Sequence, residues 1–331
     1  MCDTSSSKCD NAKSSIGEII RQRTPWIPED IQDADKIPKG DMPGDQIMIG
    51  SLHIQKARII FPKLLELLIS ALDGNPYQRA VVAVCGGSGV GKSEIASLLS
   101  YYLNNMGLGS YTLSGDNYPH RIPKYNDAER LRIFRKSGIN GLITHGQYIE
   151  GRRAILKDLQ ESNNDSNPDC LKTYPWLSLY QSAGRSGLKN YLGTTNEIDF
   201  QELSGIISQF NNGVSRIFLK RMGREEAELW YDPVDFSDKN IIIIEWTHGN
   251  NHNLQGVDIP ILLSSTPQET LEHRRSRNRD GGTDSPFTTM VLAIEQEMLI
   301  SQAQKAKLIL SKSGEILAYS DFIKLMIQEL V

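Results

Sequence analysis

Residues 80–93, read as AVVAVCGGSGVGKS, constrain the fold of this chain more than any other stretch. A short apolar run is followed by two glycines five positions apart, Gly86 and Gly91, and then at once by Lys92 and Ser93. This is the pattern of a phosphate-binding loop between a strand and a helix. Glycines let backbone N–H groups approach a polyphosphate with no Cβ in the way. The pattern predicts an α/β fold that binds a nucleotide through this loop.

Each part of the loop has a predicted role. Lys92 is a point charge for the outer phosphates, Ser93 is a hydroxyl ligand for Mg²⁺, and the helix that begins there adds the positive end of its dipole. The alternative is a glycine-rich turn that binds nothing, which we disfavour because an apolar strand precedes the loop and an amphipathic helix follows it. The predicted nucleotide-binding residues of the loop are Gly86, Gly87, Ser88, Gly89, Val90, Gly91, Lys92 and Ser93.

Composition excludes several classes of protein. The chain has 331 residues, of which 39% are hydrophobic, enough for one large α/β domain or two smaller ones. Because 40 acidic residues outnumber 36 Lys and Arg, no bulk positive field exists to hold nucleic acid or an anionic membrane. The four cysteines are scattered without zinc-type spacing, and no apolar run approaches membrane-spanning length. We therefore expect a cytoplasmic protein with a small-molecule partner, and a homodimer is left open as its oligomeric state.

Short apolar runs alternate with helical patterns along most of the chain. Alternation of this kind predicts a doubly wound, mostly parallel sheet. The uninterrupted β-branched run before Glu245 fits a strand that is covered on both faces. Besides the run before the phosphate loop, the predicted strands are residues 111–114, 241–244, 259–263 and 308–310. The expected fold is therefore a five-stranded α/β sheet with a helical insert between its second and third strands.

Other segments are predicted to lie outside the sheet. Residues 1–50 are rich in Ser, Asp, Lys and Pro and predict a polar arm, extended or partly disordered, in which Trp26 is an apolar anchor for the main body or for a second subunit. A helical pattern over residues 52–72 predicts an N-terminal helical extension, with Pro62 expected to kink or divide it. The polar stretch 161–168 predicts a surface loop.

Two acidic side chains follow predicted strands. Asp116 comes just after residues 111–114, and Glu245 follows four isoleucines at 241–244. Because ligands of such sheets bind beyond the carboxyl ends of the strands, both acids are expected to face the same crevice as the phosphate loop. Glu245 is predicted to hold Mg²⁺ directly or through its water, and Asp116 to accept or orient the proton of a substrate hydroxyl. The alternative for each acid is a solvated turn residue that ends a strand.

An arginine-rich segment follows the fourth predicted strand. Residues 266–280, TPQETLEHRRSRNRD, have the pattern of a helix with a basic stripe that can close over a nucleotide. Gly281 and Gly282 offer a hinge, so residues 266–284 form a candidate lid. The alternative is a solvated basic face. The candidate lid arginines are Arg274, Arg275, Arg277 and Arg279.

The order of these features resembles the uridine kinase and phosphoribulokinase family of P-loop kinases. In this family an acid after the second strand handles the substrate hydroxyl, which implies that role for Asp116, and the acid of the third strand corresponds to Glu245. The resemblance covers about residues 80–311 and implies ATP as the phosphate donor and Mg²⁺ as cofactor. We expect residues 51–331 to form the kinase domain. The lid arginines of the family correspond to Arg274, Arg275, Arg277 and Arg279, and the resemblance does not rank them. Our candidates for the transferring phosphoryl group are Lys92, Asp116, Glu245, Arg274 and Arg277, and our further candidates for the nucleotide are Arg275 and Arg279.

Residues 117–240, which separate the second and third strands, form an insert that is long for this family and is expected to bind the acceptor. Within it, residues 196–236 resemble the substrate element of the family. Arginines suit an acceptor that carries phosphate or carboxylate, and aromatic rings suit a base or the face of a sugar. The candidate acceptor residues are Tyr118, His120, Arg121, Arg221, Arg224, Tyr231 and His248.

Taken together, these features predict a kinase that transfers the γ-phosphate of ATP to a hydroxyl of a small metabolite. A nucleoside, a sugar, a sugar phosphate and a pantothenate-like acid stay open as acceptors. The alternative is a P-loop ATPase or a nucleotide-dependent switch, which would hydrolyse nucleotide steadily without an acceptor. Asp116 at a strand end and the long insert favour the kinase.

Overall fold

The computed structural model describes residues 15–44, 47–223, 225, 228–272, 274 and 285–329, with the backbone alone for 328 and 329. Four predicted site residues, Arg224, Arg275, Arg277 and Arg279, lie outside the described residues. The strands are β1 Ala80–Gly86, β2 Ser110–Ser114, β3 Arg216–Met222, β4 Leu229–Asp235, β5 Ile241–Glu245, β6 Ile259–Leu263 and β7 Leu308–Leu310. The helices are α1 Ile16–Gln22, α2 Ser51–Gly74, α3 Lys92–Asn105, α4 Pro123–Thr144, α5 Glu150–Glu161, α6 Leu177–Lys189, α7 Phe200–Asn211, α8 Pro286–Gln302 and α9 Tyr319–Glu329.

Five strands form one parallel sheet in the order β2-β5-β1-β6-β7. Successive side chains of a strand point to opposite faces, so the apolar runs need cover on both sides. Val82 and Ile243 pack on one face with α2 and α3, whereas Val81 and Ile244 pack on the other face with α7. The predicted doubly wound α/β sheet with five strands is confirmed.

Helix α2 crosses Pro62 without a break. A proline inside a helix removes one backbone hydrogen bond and costs about 3 kcal/mol. Its neighbours Phe61, Leu64 and Leu68 are fully buried against the sheet, and this apolar burial offsets the cost. Of the two predicted effects of Pro62, a kink or a division of the helix, the division is therefore wrong.

The described part of the N-terminal arm lies against the main body. Its helix α1 begins with a capping box between Ser15 and Glu18. The ring of Trp26 packs at 4.6 Å from that of Phe61 and 4.9 Å from that of Tyr102, measured between centroids. The arm is thus anchored on α2 and α3, which agrees with the alternative in which Trp26 docks on the main body.

The insert between β2 and β5 contains four helices and an antiparallel hairpin of β3 with β4 that the sequence analysis did not predict. Helices α4 and α6 approach closely because Gly138 and Gly184 lie at their contact. A Cβ at either glycine would come within 2.6 Å of an aromatic ring of the facing helix. The predicted loop at 161–168 is present, although Asp165 within it is buried.

Within the described ranges, no helix is both long and apolar enough to cross a membrane.

Candidate active site

The phosphate loop connects β1 to α3 at the carboxyl edge of the sheet. Gly86, Gly89 and Gly91 have φ angles of 150°, 78° and 93°, which lie in the region that glycine adopts far more readily than other residues. A Cβ at Gly86 would lie 2.6 Å from the carbonyl oxygen of Leu263. The Lys92 ammonium donates to the carbonyl oxygen of Gly87 at 3.0 Å. The loop therefore has the glycine conformations, the folded-back lysine and the following helix that a phosphate-binding loop needs.

Glu245 lies at the end of β5, between Ser114 of β2 and Val84 of β1 in the sheet register. One carboxylate oxygen accepts a hydrogen bond from the Ser93 hydroxyl at 2.9 Å, and the other accepts one from the Ser114 hydroxyl at 2.5 Å. Burial raises the pKa of Glu245 well above its ordinary value, and the negative charge of Asp116 raises it further. A buried carboxylate beside a second acid is favoured in its charged form by a nearby cation.

The donor set at Ser93 and Glu245 fits Mg²⁺. Both side chains offer hard oxygen ligands, which this ion prefers, and a bound cation would offset the burial and the charge of Asp116 that raise the pKa of Glu245. In the part of the chain that the structure describes, no group of three His, Cys, Asp or Glu side chains could hold a metal unaided. An ion at this position would therefore complete its shell with nucleotide oxygens and water, as Mg²⁺ commonly does.

Asp116 lies in the 3₁₀ turn Gly115–Asn117 that follows β2. Its carboxylate is exposed at the same edge of the sheet, and its charge contributes to raising the pKa of both Glu245 and Glu295. The turn packs closely on the buried ring of Trp246. The approach is so close that a Cβ at Gly115 would lie 2.1 Å from Trp246 Cγ. The phosphate loop, Asp116 and Glu245 therefore meet at one edge of the sheet.

Arg274 is the lid arginine that the described residues include. Its guanidinium donates from Nη1 to the carbonyl oxygen of Pro267 and to the hydroxyl of Thr270, each at 2.8 Å. The aliphatic part of the side chain covers Gly89, where a Cβ would lie 2.9 Å from Arg274 Cγ. Arg274 thus lies directly on the phosphate loop. The hinge glycines Gly281 and Gly282 lie outside the described residues.

A cavity of about 450 Å³ opens above the phosphate loop. Ser88 and Arg274 line one side of it, and residues of α4 and α8 line the other. Arg130 of α4 is held there by Glu197, which accepts from its Nε at 2.6 Å, and its Nη2 lies 3.9 Å from Glu295. The sequence analysis missed Arg130 and Glu295. No spacing marks them, because helices distant in the sequence bring them together.

A second cavity of about 490 Å³ adjoins the first, and Ala128 lines both. Two of the candidate acceptor residues, His120 and Arg121, line it together with Lys220 of β3. Its lining combines polar and apolar side chains. The remaining lining residues, which the sequence analysis did not identify, are Ile122, Tyr125, Glu129, Arg132, Met222 and Leu229.

No family model matches the sequence. The chain is 37% identical over 254 residues to the bifunctional alpha-galactosidase/sucrose kinase AgaSK of Mediterraneibacter gnavus. The alignment covers 77% of this chain and 22% of AgaSK, so the chain spans about a fifth of that relative. The resemblance to small-molecule kinases is confirmed.

Three solved structures also align with the chain. A putative fructose transport system kinase from Silicibacter sp. TM1040 has 15% identity and a TM-score of 0.43, and the alignment covers 74% of this chain and 94% of that one. A possible uridine kinase from Bacillus stearothermophilus has 13% identity and a TM-score of 0.38, with 75% of this chain and 98% of that one covered. A D-glycerate 3-kinase from Cryptococcus neoformans var. grubii serotype A has 13% identity and a TM-score of 0.42, with 81% of this chain and 98% of that one covered. The α/β assignment rests on the strand order and the phosphate loop of this chain.

Four predicted acceptor residues line neither cavity, each for its own physical reason. Tyr118 is fully buried in the core between the sheet and α7. Arg221 is buried in an ion pair with Asp41 at 2.9 Å. Tyr231 is exposed, but its hydroxyl donates to Glu202 at 2.7 Å. His248 is buried behind the site, and burial lowers its pKa to about 4.

Proposed function

We propose that this chain is a kinase that transfers the γ-phosphoryl group of ATP to a hydroxyl of an uncharged, sugar-like acceptor. The observation that carries the proposal is the meeting of three features at one sheet edge: the phosphate loop with Lys92, the hydrogen bond of Ser93 to Glu245, and the exposed carboxylate of Asp116. The 37% identity to a protein with a sucrose kinase activity supports it.

Each residue has a task in this reaction. The loop amides, the N-terminus of α3 and Lys92 bind the phosphates of ATP. Ser93 and Glu245 would hold Mg²⁺, which when bound neutralises charge on the β- and γ-phosphate oxygens. Asp116 orients the acceptor hydroxyl or accepts its proton, and Arg274 stabilises charge on the transferring group. Orientation is the larger part of the task, because the transition state of phosphoryl transfer is usually loose.

The charges around the second cavity favour an uncharged acceptor. Arg132 forms two hydrogen bonds of 2.6 Å with Glu129, and Arg121 lies 3.9 Å from the same carboxylate. Lys220 lies 3.7 Å from Glu202. The hydrogen bond from Arg132 lowers the pKa of Glu129, so this carboxylate stays ionised and partly neutralises the two arginines that would otherwise attract an anionic acceptor.

A sugar matches the same lining. Each hydroxyl can donate to a carboxylate and accept from a guanidinium or ammonium group, so paired charges such as Glu129 and Arg132 serve it from both sides. The apolar side chains of Ile122, Tyr125 and Met222 suit the C–H face of a sugar ring. Among the acceptors that the sequence leaves open, sugars and nucleosides fit these charges better than sugar phosphates or pantothenate-like acids.

An ADP-release assay with a panel of acceptors tests the proposal. We expect turnover with uncharged sugars, little with sugar phosphates or carboxylic acids, and slow ATP hydrolysis when no acceptor is present. Lys92→Ala and Asp116→Asn should each lower transfer by about a hundredfold or more with the thermal unfolding midpoint retained. Steady hydrolysis that no acceptor stimulates would instead favour the ATPase or switch. Near-normal transfer by Asp116→Asn would remove the role of that residue.

We also propose a homodimer and a cytoplasmic location, which the sequence suggests. Ile27 is 80% exposed beside the docked Trp26 and is our candidate for the dimer contact. Light scattering after gel filtration would test the oligomeric state, and Ile27→Ser would weaken the dimer if this residue lies in the interface.

A further inference from the structure

The N-terminal arm places a buried carboxylate next to the active site. Asp41 accepts hydrogen bonds from the backbone N–H of Ser114 at 2.7 Å and from the amide group of Asn117 at 3.3 Å. It also accepts from the hydroxyl of Tyr111 and from Nη1 of Arg221, both at 2.9 Å. With 9% of its side chain exposed, the carboxylate is satisfied by these four donors.

Two of these donors flank Asp116 on either side. Ser114 ends β2 and bonds Glu245 through its hydroxyl, while Asn117 ends the turn Gly115–Asn117. The side-chain oxygen of Asn117 in turn accepts the N–H of Met222, which lines the second cavity. Asp41 therefore connects the turn that carries Asp116 to the β3 wall of that cavity.

We propose that Asp41 is a positioning residue for phosphoryl transfer. It contacts neither nucleotide nor acceptor, but it fixes the turn that carries Asp116 relative to Glu245 and to the wall of the acceptor cavity. Gly115 of this turn packs on the Trp246 ring, whereas Asn117 is held by hydrogen bonds, so a buried charge with four donors adds the contacts that fix the two ends of the turn. The inference rests on the proposed function for its catalytic readout only, since the contacts themselves can be tested without turnover.

A second buried aspartate in this chain provides a matched control. Asp165 accepts two hydrogen bonds from Arg135, at 3.0 and 3.1 Å, and one from the hydroxyl of Tyr180 at 2.7 Å. Like Asp41, it accepts hydrogen bonds from an arginine and a tyrosine. These contacts connect the loop after α5 to α4 and α6 instead of to the turn Gly115–Asn117. Asp165→Asn removes a comparable buried charge without touching the turn Gly115–Asn117.

The kinetic experiment compares Asp41→Asn with Asp165→Asn at a temperature where both are folded. We expect Asp41→Asn to lower kcat about tenfold or more, because small misplacements of a reacting group are costly, and to leave KM for ATP within about twofold. Asp165→Asn should keep both constants while losing a similar amount of thermal stability. A normal kcat in Asp41→Asn, or equal losses in the two variants, would overturn the inference.

Hydrogen–deuterium exchange tests the positioning without any turnover. In Asp41→Asn the amides of Ser114 and Met222 should exchange faster, whereas in Asp165→Asn they should not change. If these amides stay protected in Asp41→Asn, the inference is wrong. If they exchange faster while the wild type phosphorylates no acceptor, the proposed function fails, whereas the role of Asp41 in fixing the turn Gly115–Asn117 stands. Should Asp41→Asn not fold, Tyr111→Phe removes one of the four donors and should show the same changes at smaller size, and unchanged constants and exchange would overturn the inference.

Discussion

Gly115→Ala is expected to move the catalytic turn with a single methyl group. The added Cβ would lie 2.1 Å from Trp246 Cγ, about 1.3 Å less than the 3.4 Å at which ordinary contact begins. The Trp246 ring cannot yield easily, because it is buried and packs at 5.5 Å from the Phe200 ring and 5.2 Å from the His248 ring. The turn that carries Asp116 must therefore shift by roughly 1 Å, which costs about a hundredfold in rate when a reacting group is displaced.

The ADP-release assay measures the loss of rate in Gly115→Ala, and thermal unfolding measures its loss of stability. We expect kcat to fall about a hundredfold, KM for ATP to stay near its wild-type value, and overpacking to destabilise the fold by about 1–3 kcal/mol. Gly205→Ala is the matched control, because Gly205 lies inside α7 and the methyl group that alanine adds there would meet nothing within 4 Å. It should gain about 0.5–1 kcal/mol of stability at unchanged kcat. A Gly115→Ala protein with normal turnover would refute the link between this turn and transfer.

Two further predictions concern charge. Glu129→Ala releases Arg121 and Arg132 from their shared carboxylate. The KM for an uncharged acceptor should therefore rise, and sugar phosphates should begin to compete as inhibitors. Unchanged acceptor preference in the ADP-release assay would contradict the charge argument. Burial lowers the pKa of His248 to about 4 whereas an unfolded histidine titrates near 6.5, so stability present above pH 6.5 should fall by roughly 3 kcal/mol as pH drops toward 4. His248→Asn should flatten the pH dependence of the unfolding midpoint in this range, and a dependence as steep as in the wild type would contradict the role of His248.

The sheet and the phosphate loop were predictable because their signals are local. Strand β5 is an unbroken run of isoleucines, and the glycines of the loop stand next to the lysine and serine they serve. The hairpin was not predictable in the same way. Its strand β4 is largely exposed and carries Asp232 and Pro233, so it has neither a continuous apolar run nor a clean alternation.

The site residues that sequence reasoning missed depend on contacts between distant segments. Arg130 becomes a candidate site residue only because Glu197, which lies 67 residues further along the chain, holds it at the cavity above the phosphate loop. Conversely, Tyr118 follows Asp116 so closely that it was expected in the pocket, but adjacent residues of a turn point in different directions. The ring of Tyr118 is buried, whereas the carboxylate of Asp116 is exposed.

In the proposed function, the phosphate donor and the acceptor bind to different parts of this molecule. The sheet edge supplies Lys92, Ser93 and Glu245, which are held by backbone register and short local contacts. The described lining of the second cavity comes from the insert, so the residues proposed to bind the acceptor lie apart from the phosphate loop. Asp41 of the arm hydrogen-bonds both the end of β2 and the β3 strand, and it therefore joins the two parts at the point where Asp116 must serve both.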